Sequence, residues 1–130
     1  MRSILLIEDN IDILENVAEY LELEGYHILS ANDEQTGIAM AIQFMPDLII
    51  CDSPKPGIDG YAVLRLLIST SKISGIPFIF CSTLSELSNS LDALELGADD
   101  YITKPFDLDD VLVVIKASII KGSKRKKYTL

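Results

Sequence analysis

The sequence predicts one doubly wound α/β domain, a parallel sheet covered by helices on both sides. Three observations carry this. Short runs are apolar at every position, amphipathic helical stretches lie between them, and the strand–helix unit recurs five times at intervals of roughly 20–30 residues. A strand apolar throughout, without alternation, is one covered on both faces. The 130 residues suffice for one domain with a sizeable core, and 48% hydrophobic against 24% charged side chains argues against a disordered chain. Nothing suggests a second domain or an internal repeat.

Ile4–Ile7 is the first strand candidate. From Asp12 onward Leu14, Val17, Ala18 and Leu21 recur at helical spacing, and "EGY" stops that helix at Gly25. Tyr26–Ser30 reads as a second, weaker strand. Asn32 followed three residues later by Gln35 is a capping-box pattern, with Ile38, Ala41, Ile42 and Met45 as the apolar stripe behind it. Pro46 stops this helix, and Leu48–Cys51 is the third strand. Asp59 can cap a helix carrying Leu64, Leu67 and Ile68. Pro77–Cys81 is the fourth strand, Leu87, Leu91 and Leu94 mark a helix closed near Gly97, and Tyr101–Thr103 is a short fifth strand. The last helix starts near Asp107, with Leu108, Leu112, Ile115 and Ile119 along its inner side.

Charge is distributed unevenly. All 20 acidic residues lie at or before Asp110, and residues 1–120 carry only six basic ones, a net charge of −14. Such a body repels nucleic acid and attracts divalent cations. Five basic residues fall in Lys121–Lys127, in a tail, "KGSKRKKYTL", that reads as a solvated linker. No apolar run approaches a membrane span, and "MRSILLIEDN" turns acidic too early for a signal peptide. Cys51 and Cys81 sit in separate apolar runs without a CxxC spacing, which fits reduced core thiols in a cytoplasmic protein. His27 reads as a structural or surface residue, and Met40 and Met45 as core or helix-edge packing rather than a sulfur ligand set.

Ligands of an open α/β sheet collect outside the carboxyl ends of the strands. Here those ends carry Glu8 and Asp9, Asp52, Ser82 and Thr83, and Lys104. Three carboxylates at one mouth raise one another's pKa unless a cation joins them, and an oxygen-only set suits Mg²⁺ or Mn²⁺ rather than zinc. Lys104 beside a cation becomes sensible if an anion lies between them. A phosphoryl group on Asp52 is the natural candidate, with the Ser82 hydroxyl on a remaining oxygen. Pro54, Pro56, Gly57 and Gly60 then shape a loop that holds Asp52 at the strand end and aims a backbone carbonyl, that of Pro54, at the metal.

The set "LLIEDN", "CDSPKPGIDGY", "FIFCST" and "GADDYITKPF" resembles the receiver domain of two-component response regulators, over residues 2 to about 121. The resemblance implies a flavodoxin-like (βα)5 fold with strand order 2-1-3-4-5. It makes Asp52 the phosphoacceptor, Glu8 and Asp9 the acidic pair for Mg²⁺, Ser82 the hydroxyl residue, Lys104 the lysine and Tyr101 the aromatic switch. It further implies that Asp52 takes a phosphoryl group from a phosphohistidine on a sensor kinase or phosphotransfer protein. The chain would then be an acceptor rather than a turnover enzyme, without an organic cofactor, and would switch a partner or output domain. Residues 1–121 would form the domain and 122–130 a tail or the start of a linker.

Rival readings fit less well. A Mg²⁺-dependent phosphohydrolase would want an acid two residues after the nucleophile, where Pro54 stands. An FMN module would want a Ser/Thr/Gly-rich loop in place of "EDNID", and a receiver that only binds would lack one of the site residues. Family members tune dephosphorylation through positions occupied here by Pro54 and Leu84, neither able to orient a water, while Thr83 adds bulk at the entrance. A long-lived phosphoryl group is expected. On the last helix Val113, Val114 and Ile120 are left over from the inner stripe, an expected interface for a partner or a homodimer on the side formed by the helix over 87–94, the last strand and the last helix. Family members that dimerise there as transcription factors carry an arginine at the Val114 position.

Overall fold

The computed structural model describes residues 1–52, 60–83, 97–104 and 106–123, with the side chains of Asp52, Ser82, Thr83 and Lys104 outside that description. Its elements are β1 (Ser3–Ile7), α1 (Ile11–Leu23), β2 (His27–Ala31), α2 (Glu34–Phe44), β3 (Leu48–Asp52), α3 (Gly60–Ser69), β4 (Phe78–Thr83), β5 (Asp100–Lys104) and a C-terminal helix (Leu108–Lys121). All neighbouring strands run parallel, in the order β2-β1-β3-β4-β5. The cap expected at Asp59 and the helix expected over 87–94 lie outside the described residues.

Each face of the sheet supports its own core, because successive side chains of a strand point to opposite sides. Leu5, Ile7, Ile49, Cys51, Phe78 and Phe80 pack under α2 and α3. Ile4, Leu6, Leu48, Ile50, Ile79 and Cys81 pack under α1 and the C-terminal helix. The two cysteines are buried, form no disulfide and lie on opposite faces of the sheet. α2 lies close on β1: a Cβ at Gly37 would come within 2.5 Å of the Ile7 Cδ1 atom.

Local chemistry moves several expected boundaries. α2 is capped by Asp33 rather than Asn32, because the Asp33 carboxylate accepts both the Thr36 N–H, at 2.7 Å, and the Thr36 hydroxyl, at 3.0 Å. β2 starts one residue later than expected because the Tyr26 N–H donates back to the Leu21 carbonyl and belongs to the turn. Gly25, at φ 97°, makes that turn in the left-handed region that glycine tolerates. On the C-terminal helix the inner stripe is Val111, Ile115 and Ser118, with Leu112, Val114 and Ile119 half-buried beside it. Val113 and Ile120 are exposed, at 66% and 84%. Val114 does not join them: three residues after Val111 and four before Ser118, it lies on the packed side.

The base of the sheet, where the strands begin, carries one motif twice. Asp47 donates its N–H to the Ser3 carbonyl (2.9 Å) and accepts the Ser3 N–H on its carboxylate (2.8 Å). Asp99 does the same with Phe78, at 2.8 Å in both directions. Each aspartate staples the start of one strand to its neighbour, β3 to β1 and β5 to β4.

Candidate functional site

The opposite end of the sheet gathers the strand-end residues. Ile7 pairs with Cys51, Asp52 with Cys81, Ser82 with Thr103, and Thr83 with Lys104. Glu8 therefore continues β1 into the row that Asp52 occupies on β3. With neighbouring strands about 4.8 Å apart, the Asp52 backbone has the acidic pair's strand on one flank and the strand of Ser82 on the other. Lys104 ends the strand beyond. Ser82, Thr83 and Lys104 lie within their strands rather than after them, since polar residues at strand ends still pair.

The acidic pair is held by what surrounds it. The Glu8 N–H donates to the Ala31 carbonyl at 3.0 Å, extending the β1–β2 ladder by one rung. Two residues on, Asn10 caps α1, its side-chain oxygen accepting the Ile13 N–H at 3.1 Å. The Asn10 N–H in turn donates to the Glu8 carboxylate at 3.3 Å. Glu8 and Asp9 are thus confined between a strand end and a helix start, Glu8 buried and Asp9 exposed. Their donor chemistry, carboxylate oxygen only, fits a hard divalent cation. Among the described residues no group of three such ligands assembles; the third carboxylate of the expected set, Asp52, has its side chain outside the description. Pro54 and Leu84 are likewise outside the described residues.

Tyr101 is half-buried on the α2/α3 face and pairs with Phe80 across β4 and β5. The Phe80 ring lies 5.2 Å from that of Tyr61 and 5.0 Å from that of Phe78, the latter pair edge to face. This aromatic row joins the start of α3 to β4 beside Tyr101. Sequence reasoning missed it, although the two-residue spacing of Phe78 and Phe80 and the tyrosine after Gly60 were visible. His27 opens β2 at the base, far from the mouth, and is exposed.

On the other face, an apolar cleft of about 420 Å³ opens below Glu8 between α1 and the C-terminal helix, lined among others by Ile13, Leu14, Val17, Phe106 and Val111. Among the described residues its lining is apolar apart from Glu8. Beside it the Tyr20 hydroxyl donates to Asp109 at 2.7 Å, which ties the two helices and pushes the Tyr20 pKa up to about 12.

A doubly wound sheet with acidic residues at one strand end and a hydroxyl and a lysine on the next strands defines a phosphoacceptor class of α/β domain. Residues 4–116 match the response regulator receiver domain, and the chain belongs to that family. It is 36% identical over 117 residues to the "DNA-binding dual master transcriptional regulator RpaA" of a Synechocystis species, covering 90% of this chain and 48% of that protein. It is 32% identical to "Protein PilH" of Pseudomonas aeruginosa, covering 90% of this chain and 97% of that one. The crystal structure of a response regulator receiver domain protein from Clostridium thermocellum superposes with a TM-score of 0.86 at 26% identity, covering 93% and 96% of the two chains. The chain spans about half the length of RpaA and of several other curated relatives. As a receiver domain it is a phosphoacceptor of two-component signalling rather than a turnover enzyme. Phosphotransfer in this family uses Mg²⁺ or Mn²⁺, with a histidine kinase or phosphotransfer protein as donor and a downstream effector. Among the described residues no helix is long and apolar enough to cross a membrane.

Proposed function

We propose that Asp52 is the residue that accepts the phosphoryl group. The observation that carries this is the strand register: Asp52 ends β3 in the row of Glu8, with Ser82 and Lys104 at the ends of the next two strands. An Asp52 carboxylate oxygen attacks phosphorus, the P–N bond to the donor's imidazole breaks, and its electron pair returns to the imidazole nitrogen. Glu8, Asp9, Asp52 and the Pro54 carbonyl would hold Mg²⁺ or Mn²⁺, which when bound offsets negative charge on the phosphoryl oxygens. Lys104 neutralises a further oxygen and the Ser82 hydroxyl donates to another. At the two positions through which the family tunes dephosphorylation this sequence carries Pro54 and Leu84, whose side chains have no polar group to orient a water, and with the bulkier Thr83 beside Ser82 the acyl phosphate is long-lived.

Residues 1–121 act as the signalling domain, with 122–130 a basic tail or the start of a linker, in the cytoplasm. Ser82 and Tyr101 carry the switch, and the exposed Val113 and Ile120 offer a contact for an output domain, an effector or a second copy.

The test is labelling with acetyl phosphate or phosphoramidate in Mg²⁺, read by intact mass. Wild type gains one phosphoryl group, and Asp52→Asn gains none. Undiminished incorporation in Asp52→Asn would move the acceptor elsewhere. In the labelled protein, Pro54→Asn with Leu84→Glu should shorten the phosphoryl lifetime by roughly 10²-fold, the scale of general-base help.

A further inference from the structure

Asp99 is a buried carboxylate, 5% exposed, at the base of the sheet and far from the proposed phosphoacceptor. Its staple to Phe78 is one task. It has a second: its two oxygens accept the Ser123 hydroxyl at 3.2 and 3.5 Å. Ser123 is the second residue after the C-terminal helix, and what delivers it is a turn. The Gly122 N–H donates to the Ser118 carbonyl at 2.9 Å, and Gly122 adopts φ 69°, ψ −172°, a conformation that strains any side-chain-bearing residue. The chain therefore leaves the helix, turns at a glycine, and is caught by a carboxylate anchored to the first residue of β4.

The other staple gives the contrast. Asp47 is half-exposed, and its additional partner is Arg2 at the other end of the chain, at 3.6 Å. Each staple thus takes a second partner from one end of the chain, but the C-terminal one is buried and made to a hydroxyl. Lys124, Arg125, Lys126 and Lys127 follow Ser123 in sequence.

We propose that Asp99 is a conformational anchor for the chain leaving the domain, coupling the position of β4 to whatever follows Ser123. Phe78 and Ser82 are four residues apart on one strand, roughly 13 Å at strand rise. A shift of β4 at its Ser82 end is carried by the same strand to Phe78, and from Phe78 through Asp99 to Ser123. This coupling rests on the phosphoacceptor reading above; the anchor itself does not.

Backbone NMR on the full chain tests both parts. In wild type the heteronuclear NOE at Ser123 should match that of the C-terminal helix. Ser123→Ala should drop it well below the value of the C-terminal helix while Phe78 amide exchange stays unchanged, and Ser123→Thr, which keeps the hydroxyl, should restore it. Asp99→Ala should in addition speed Phe78 amide exchange by about tenfold or more, as a lost buried hydrogen bond does. An NOE at Ser123 indifferent to Ser123→Ala overturns the anchor. With the phosphate mimic beryllofluoride, wild type should shift the amides of both Ser82 and Ser123, and Ser123→Ala should keep the Ser82 response while residues 124–127 fall silent. A Ser82 response with an unmoved Ser123 in wild type overturns the coupling. Silence at Ser82 and around Asp52 overturns the phosphoacceptor reading instead, and the NOE comparison still decides the anchor.

Discussion

The two ends of the sheet both set carboxylates against strand termini, yet they use them differently. At the base, Asp47 and Asp99 each trade hydrogen bonds with the first residue of a neighbouring strand, Ser3 and Phe78, at 2.8–2.9 Å. A backbone N–H is a fixed donor, so these aspartates are structural parts of the ladder. At the mouth, Glu8 and Asp9 follow the end of β1 and the Asp52 backbone ends β3 in the row of Glu8, so acidic residues fall together at adjacent strand ends rather than pairing across strand starts. The base ties its acids into the ladder, whereas the role proposed for the acids of the mouth is to hold a cation beside a phosphoryl group. One end can therefore be damaged with folding as the readout, and the other with labelling as the readout.

The largest expected effect on stability is at Asp99. Asp99→Ala removes a buried acceptor and leaves the Phe78 N–H unsatisfied, which should cost about 2–3 kcal/mol in urea unfolding. Asp52→Asn, by removing a charge from a crowded set, should leave stability equal or higher. If both substitutions destabilise alike, the two ends are not different in kind. Asp47→Ala should fall between them, about 1 kcal/mol, because that staple is partly open to water.

Gly37→Ala sharpens the comparison from inside the fold. The added methyl would lie 2.5 Å from Ile7 Cδ1 and 2.9 Å from its Cγ1, and Ile7 is buried. Overpacking of this kind costs about 1–3 kcal/mol. Ile7 also directly precedes the acidic pair, so Mg²⁺ binding should weaken along with stability, while Asp99→Ala should lower stability alone. Titration by thermal shift separates them. At ten times its dissociation constant Mg²⁺ should stabilise by about 1.4 kcal/mol, an increment that Asp99→Ala keeps and Asp9→Asn loses.

The mouth was legible in the sequence because its residues fall immediately after short apolar runs of the kind a strand buried on both faces shows. Ile4–Ile7 leads to Glu8, and Leu48–Cys51 to Asp52. The strand tips were not legible: Ser82, Thr83 and Lys104 are polar, and nothing local says that their backbones still pair. The staples were invisible for another reason. Asp47 and Asp99 look like ordinary turn residues, and their partners lie 44 and 21 positions away. At α2, Asn32 and Asp33 are both good caps, and the choice depends on Thr36, which can give the Asp33 carboxylate two hydrogen bonds where the pattern Asn32–Gln35 offered a different pair. Val114 was misjudged because the helix's buried stripe centres on Val111, not on Leu112.

The smallest effect belongs to neither end but to the side that joins them, where Tyr20 on α1 meets Asp109 on the C-terminal helix. The hydrogen bond to Asp109, and after it burial and the nearby carboxylates, hold the Tyr20 proton to about pH 12, against the usual value of 10.0. Between those values the unfolded chain has released the proton and the folded one retains it. The unfolded state then binds fewer protons, so stability must fall as pH rises through this window. Below pH 10 the contribution is fully present. Tyr26, whose pKa burial also raises, adds a loss of the same sign, and so the informative quantity is the difference between wild type and Tyr20→Phe. That difference in urea midpoint should be constant from pH 7 to 9 and shrink from pH 10 to 12. A difference that stays flat across the alkaline window would mean that Tyr20 and Asp109 do not share the proton in solution, and that the two helices flanking the cleft below Glu8 are held by packing alone.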